Sequence, residues 1–561
     1  MPARLGGCTL LKYYEGFSLP VSRPRRGSRN FSRHVILIGI FFAGVLLALA
    51  QAEQRLPQPP LYVTGWAGSV LDHMQSGLTL GSVKESTLIA LEGVTSSEDL
   101  FIGNIDRFTE VPKTIGPTEI YGTPMRAMSW FYLLSFSLFG MNLSSVVYTW
   151  FLLFGIGAGL ALYVPFNGRD TRVLGLVIGS AFFVLGLLPF IDHNSWNVLS
   201  YRVMPFLGLI PAVTTALAIS NRIRIRWPTA IYFGIMIGFV TAVRPTFIWV
   251  APALAAAGFI WLRRNSWAQA RRGSLWILIF FVASGSSFAW LSTLQDRVPQ
   301  GIETVEVLRD SSRWLSMNLA LFVDPRLYEK YVCGAPVEQS GINGLKEQEC
   351  TGRDLDRLTS LAIAADIRNR VDDQKGYSGA VNWVSRENLE LTLALPEQTR
   401  YGDLTSFNLN WANYGVVSRT LFFEIVTHEP IVVLENYVLV KPIRLGLNTL
   451  SVGYSVFESV YGGERNWLSA AAVLVSFSLI AWLWWTGRRE WVSMRPDEKA
   501  SAEKTAKFVL VLAGCAALPS MVFYSENYSV LDFTVLLMSA ILGLAQNGPL
   551  FFGKHRESAA R

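Results

Sequence analysis

Charge is what this chain has least of. Only 16% of its 561 residues are Asp, Glu, Lys or Arg, where a soluble protein carries about a quarter. That shortage argues against a soluble multidomain enzyme. Cysteine is scarce too: the four residues, at 8, 333, 350 and 515, match no zinc or thioredoxin spacing. No Walker or Rossmann glycine motif, heptad, internal repeat or low-complexity run is present. No His/Asp cluster has metal-ligand spacing, so the sequence implies no cofactor and no particular divalent cation.

Apolar residues, by contrast, make up 51% of the chain, and they include 18 Trp and 34 Phe, rings of the kind that gather at membrane interfaces. Lys and Arg number 49 against 42 Asp and Glu. A basic balance can mark nucleic-acid binding. Here the charges stand in short clusters between apolar runs, which points to a lipid bilayer as partner and to no nucleic acid.

A spanning helix needs roughly 20 mostly apolar residues, with about 17 as the lower limit. Ten such runs are read: 35–51, 143–164, 173–191, 203–220, 228–243, 246–262, 274–292, 467–486, 508–524 and 530–546. The expected fold is therefore an all-α polytopic membrane protein. Every second connection is basic: the N-terminal tail, Arg169 with Arg172, Arg222 to Arg226, Arg263 to Arg272, Arg488 to Arg495, and Lys554 with Arg556. The positive-inside rule places these connections and both ends in the cytoplasm.

The expected organisation is a basic tail (1–34), a seven-span core (35–292) containing a long outer loop (52–142), and a large α-rich outer segment (293–466). Three C-terminal spans (467–546) and a short tail (547–561) follow. The apolar stretch 125–140 would invert the charge alternation if it crossed, so it is read as a helix at the outer face or partly re-entrant. Residues 436–450 resemble an interfacial piece leading to the eighth span. Ala48-Leu-Ala50 looks like a signal-peptidase site, but the basic tail is long for a signal peptide, which favours a retained first span. Cys333 and Cys350, 17 residues apart in the outer segment, suit a disulfide in an oxidising compartment, with two buried thiols as the alternative.

The centres of the ten runs hold no Asp, Glu, Lys, Arg or His. Ion-coupled carriers usually keep such groups at mid-membrane. The ionisable residues at span ends favour the outer face instead: Asp192, His193, Arg202, Arg244, Glu526 and Asp532. Such a site suits a substrate with its tail in lipid and its head in water. Arg244, between Thr241-Ala-Val and Pro245, is the leading candidate for a lipid phosphate, because a guanidinium grips phosphate bidentately. Arg202 and Arg126 are further candidates, as are Lys441 and Arg444.

The order of one span, a long outer loop, Tyr121-Gly-Thr-Pro124-Met-Arg126, the aromatic helix from Trp130, Leu138-Phe-Gly140 and a span ending Gly159-Leu-Ala-Leu-Tyr163 resembles the integral-membrane C-type glycosyltransferases. The likeness is to polyprenyl-phosphate-sugar transferases of the protein mannosyltransferase and aminoarabinose transferase kind. It covers roughly residues 30–300 and, more weakly, 415–546, where Glu424-Ile-Val-Thr-His428-Glu-Pro430 resembles the family's lead into its later spans.

The resemblance implies transfer of a sugar from a polyprenyl-phosphate donor to a glycan, lipid or protein acceptor. It also implies a bacterial cytoplasmic membrane with the active face outward. An acid early in the first outer loop would serve as general base or position the acceptor, and cations at the surface would stabilise the departing phosphate. The family's position for that acid falls near Gly65–Ser69, where none occurs. Asp72, followed by His73 as a substrate-binding candidate, stands nearest, and Asp106 is the second choice. A non-catalytic relative that binds polyprenyl lipid or scaffolds a biosynthetic complex, or a transporter or flippase of lipid-linked saccharide, are the competing expectations.

Overall fold

The computed structural model describes residues 26–52, 61–84, 120–122, 127–188, 203–263, 275–296, 425–443, 467–493, 496–522 and 530–547. Shorter pieces are described at 87, 91, 198–199, within 314–327 and 419–423, and at 445–446. The chain runs α1 (Arg26–Ala52), α2 (Leu61–Ser76), strands β1 (Ser82–Lys84) and β2 (Ile120–Gly122), then α3 (Ala127–Phe139) and α4 (Leu143–Tyr163). Next come α5 (Gly168–Leu187), α6 (Pro205–Ser220), α7 (Trp227–Val243), a 3-10 turn (Pro245–Trp249), α8 (Val250–Arg263) and α9 (Leu275–Asp296). The last elements are α10 (Pro430–Glu435), continued by a π turn (Asn436–Val440), then α11 (Trp467–Ser493), α12 (Pro496–Val522) and α13 (Val530–Asn547).

The described chain is helical, as expected of an all-α membrane protein, apart from one short ribbon. In it β1 pairs antiparallel with β2, with Val83 opposite Tyr121. Three-residue strands carry no readable alternation, so this pairing had no signal in the sequence. Among the described residues, six helices are long and apolar enough to cross a membrane: His34–Ala52, Leu143–Tyr163, Gly168–Leu187, Leu275–Ser292, Trp467–Trp491 and Glu503–Val522. The remaining four expected spans fall on shorter apolar helices, Pro205–Ser220, Trp227–Val243, Phe247–Arg263 and Leu531–Gln546. The stretch read as non-crossing is α3, a 13-residue helix.

α5 is the most enclosed of the six and packs against α1, α11 and α13. At its start Asn167 accepts the backbone N–H groups of Arg169 and Asp170, the bond that opens a helix cleanly. Buried Asp170 then accepts the Thr505 hydroxyl (2.8 Å) and the Asn221 side-chain amide (3.1 Å), tying α5 to α12 and to the end of α6. Both carboxylate oxygens are satisfied, so this acid is part of the scaffold.

α7 and α9 pack backbone to backbone, and the reason is local. Gly234 and Gly238 stand four apart on α7 and face Phe280 to Phe288 of α9. A Cβ on Gly234 would lie 2.5 Å from the Phe280 carbonyl oxygen and 2.8 Å from the Ala283 Cβ. In lipid, small residues at this spacing let helix backbones meet and gain dispersion contacts. The pairing holds α7 firmly at the end that leads to Arg244.

Candidate functional site

The C-terminal end of α2 is closed by chain that turns back on it. Gly77, with φ +66°, adopts the left-handed conformation that ends the helix, and Gly81 (φ +94°) turns the chain again. The return brings the Gly81 N–H to the Ser69 hydroxyl at 2.6 Å and lays β1 beside the last turn of α2. Asp72 is at the centre of this arrangement. Its Oδ2 accepts the Lys84 backbone N–H (2.7 Å), its Oδ1 accepts the Thr87 hydroxyl (2.8 Å), and the Lys84 ammonium stands 3.9 Å away. The carboxylate is buried, with 4% of its side chain exposed. These bonds use two of its roughly four acceptor positions. Neither Lys84 nor Thr87 is marked by a motif; only the glycine-directed return reveals them.

A measurable consequence follows from the Thr87 bond. Thr87→Val keeps the side-chain shape and removes one donor from a buried carboxylate, so the protein is expected to lose about 1–2 kcal/mol of stability. Thermal unfolding in detergent checks this, and an unchanged midpoint would show the bond to be dispensable.

His73, half-exposed on the same turn, has Nδ1 2.7 Å from the Leu78 carbonyl oxygen. A carbonyl only accepts, so Nδ1 carries the proton and Nε2 is left as the basic nitrogen. Further along α2, Trp66 packs on Tyr132 of α3, with ring centres 5.7 Å apart. The Tyr132 hydroxyl donates to the Leu199 carbonyl (3.4 Å), and the neighbouring Val198 N–H reaches Oε1 of buried Gln51 at the end of α1 (3.2 Å). α3 also sets Phe131 against Phe239 of α7 and Trp130 against Trp290 of α9. One end of the bundle thus gathers the ends of α1, α7 and α9 around α2 and α3.

Arg244 belongs to the same end. It follows the last residue of α7, its N–H reaching the Val240 carbonyl at 2.7 Å and its own carbonyl accepting the Phe247 N–H at 2.9 Å. The residue is 8% exposed. A cation at a helix C-terminus is favoured by the helix dipole. Two contacts lock the turn that follows. The far edge of the Phe247 ring closes on Gly208 of α6, where a Cβ would meet its Cζ at 2.5 Å. The Trp249 indole N–H donates to Oδ2 of Asp532 at 2.9 Å, joining positions 283 residues apart. Asp532 is 1% exposed, and its Oδ1 has no hydrogen-bond partner. A buried cation precedes this five-residue turn and a buried carboxylate anchors its last residue.

Lys441 is buried, with its ammonium 4.9 Å from the Tyr437 ring centre. Asp106, Arg126, Arg202, Cys333, Cys350 and the side chain of Arg444 lie outside the described residues. Among the described residues no group of three His, Cys, Asp or Glu side chains converges as metal ligands would. Compared with family models, with curated proteins and with solved structures, the chain matches none of them.

Proposed function

We propose that this chain is an integral-membrane glycosyltransferase that moves a sugar from a polyprenyl-phosphate donor to an acceptor at the outer membrane face. In this reading ten helices cross a bacterial cytoplasmic membrane, both ends lie inside, and α3 rests at the outer surface. The observation that carries the reading is the bundle end itself. Acid-bearing α2, the aromatic helix α3 and the buried Arg244 turn meet there, while Arg169 and Arg226 stand at the opposite ends of α5 and α7 from the residues that face that site. The guanidinium of Arg244 meets the phosphate of the donor and steadies the charge that grows on it as the sugar leaves. Asp72, with His73 beside it, orients or deprotonates the acceptor hydroxyl as the anomeric carbon becomes electron-poor.

One observation favours a second reading. Both oxygens of Asp72 are engaged within the fold, which fits a relative that binds polyprenyl lipid without turning it over. A flippase is less well supported, because the centres of the apolar runs hold no ionisable group. Purified protein offered labelled polyprenyl-phosphate sugars is expected to release polyprenyl phosphate. Donor binding without release supports the lipid-binding reading, and neither binding nor release across the series overturns both.

A further inference from the structure

The described part of the outer segment ends in a helix whose exposed side is the wrong one for water. α10 and its continuation keep Val433, Asn436, Lys441 and Leu445 buried. Asn436 fixes this side by donating its amide to the carbonyls of Ala320 (3.0 Å) and Leu321 (3.2 Å). Glu435, on the flank, pairs with Arg326 at 2.7 Å, and Arg326 in turn holds Asp324 at 2.8 Å. The opposite side carries Ile431, Leu434, Val438, Leu439 and Ile443, each between 58% and 71% exposed. No charged residue interrupts that stripe. The π turn contributes to the alignment: its extra residue moves the buried stripe from 436 to 441, and the apolar stripe stays in register with it.

Exposure of this degree matches the lipid-facing residues of the long apolar helices, such as Phe41 (65%), Leu278 (60%) and Phe477 (57%). The helix is too short to cross. Residues 430–443 rise about 20 Å at 1.5 Å each, against a hydrocarbon core of about 30 Å. A stripe of large aliphatic side chains opposite a polar, pinned side is the pattern of a helix lying in the plane of a membrane surface.

We infer that the 430–443 helix lies in the membrane interface with its Ile431–Leu434–Val438–Ile443 face in the acyl chains of the leaflet. It thereby fastens the 314–327 unit, held by Asn436 and Arg326, to the bilayer. The occupant is lipid. A second copy of this chain or another protein on the stripe is an outcome that the test below distinguishes. The apolar helices supply the bilayer, and 23 residues of sequence separate Ile443 from the start of α11 at Trp467.

Nitroxide labels at Leu434→Cys and Val438→Cys, in full-length protein whose four native cysteines are replaced, test this in nanodiscs of phosphatidylethanolamine and phosphatidylglycerol. Collision with oxygen, which concentrates in lipid, is expected to exceed collision with a water-soluble nickel chelate several-fold. The label at Ile541→Cys should behave likewise, and the label at exposed Thr427→Cys should show the reverse. Dominant nickel collisions at 434 and 438 overturn the inference, and so does shielding from both reagents, which means protein covers the stripe. Wild-type protein guards against misfolded variants. A phospholipid with a photoactivatable acyl chain should leave adducts on the 430–443 peptide, and adducts on α11 without any on that peptide contradict the assignment.

Discussion

Gly238→Leu is expected to unfold or severely loosen the membrane bundle. A Cβ at this position would meet the Ser284 carbonyl oxygen and stand 3.0 Å from the Phe288 backbone nitrogen. Backbone atoms cannot turn aside as a flexible side chain does. Overpacking a core typically costs about 1–3 kcal/mol, and a Leu here must push two helices apart along much of their length. The loss should reach the top of that range, and Gly238→Ala should show the same effect in weaker form. Gly285→Ala is the control: it lies on the partner helix α9, but its Cβ would meet nothing within 4 Å, so helix propensity alone predicts no loss and about 0.5–1 kcal/mol of gain. Apparent melting temperatures in one detergent decide it. Equal midpoints for Gly238→Leu and wild type would remove the α7–α9 contact as an organiser of the fold.

The second large effect is kinetic and separates the acid from the cation. With a polyprenyl-phosphate donor, Asp72→Asn should bind donor normally and lose turnover by about 10²–10⁴-fold if the carboxylate is the general base. Arg244→Ala should weaken donor binding as well as turnover, because the phosphate charge exists before the transition state and grows in it. Arg244→Lys should recover only part, since an ammonium cannot make the paired contact. The clamp around Asp72 adds a third arm. Thr87→Val loosens that clamp and leaves the carboxylate in place. If Asp72 acts on the acceptor, Thr87→Val keeps most turnover. If Asp72 only holds β1 to α2, Thr87→Val and Asp72→Asn fall together and the base must be sought elsewhere, first at Asp106.

How much of this was legible in the sequence follows from the range of the interactions. The described part of each of the ten apolar runs lies on a helix, where an apolar run satisfies its backbone internally. The shortness of α3 was readable from the length of its apolar stretch. The Gly234-x-x-x-Gly238 spacing was also present to be read, opposite the small residues Ala283, Ser284 and Ser287. Asp72 is different. Its position was visible, but its partners depend on two left-handed glycines that fold residues 78–87 back over α2. Trp249 and Asp532, separated by nearly half the chain, meet only through the packing of the whole bundle. Local pattern reports elements well and reports such contacts not at all.

Everything proposed for the site requires that the connections at 52–142 and 293–466 face the same, outer side of the membrane. Single cysteines placed in intact cells and exposed to an impermeant thiol reagent test that requirement directly. Ser97→Cys and Ser340→Cys are predicted to be labelled at once, while Ser266→Cys and Ser501→Cys react only after the membrane is opened. Labelling of Ser266→Cys in intact cells, with Ser97→Cys protected, would contradict the orientation and with it the outer-face site.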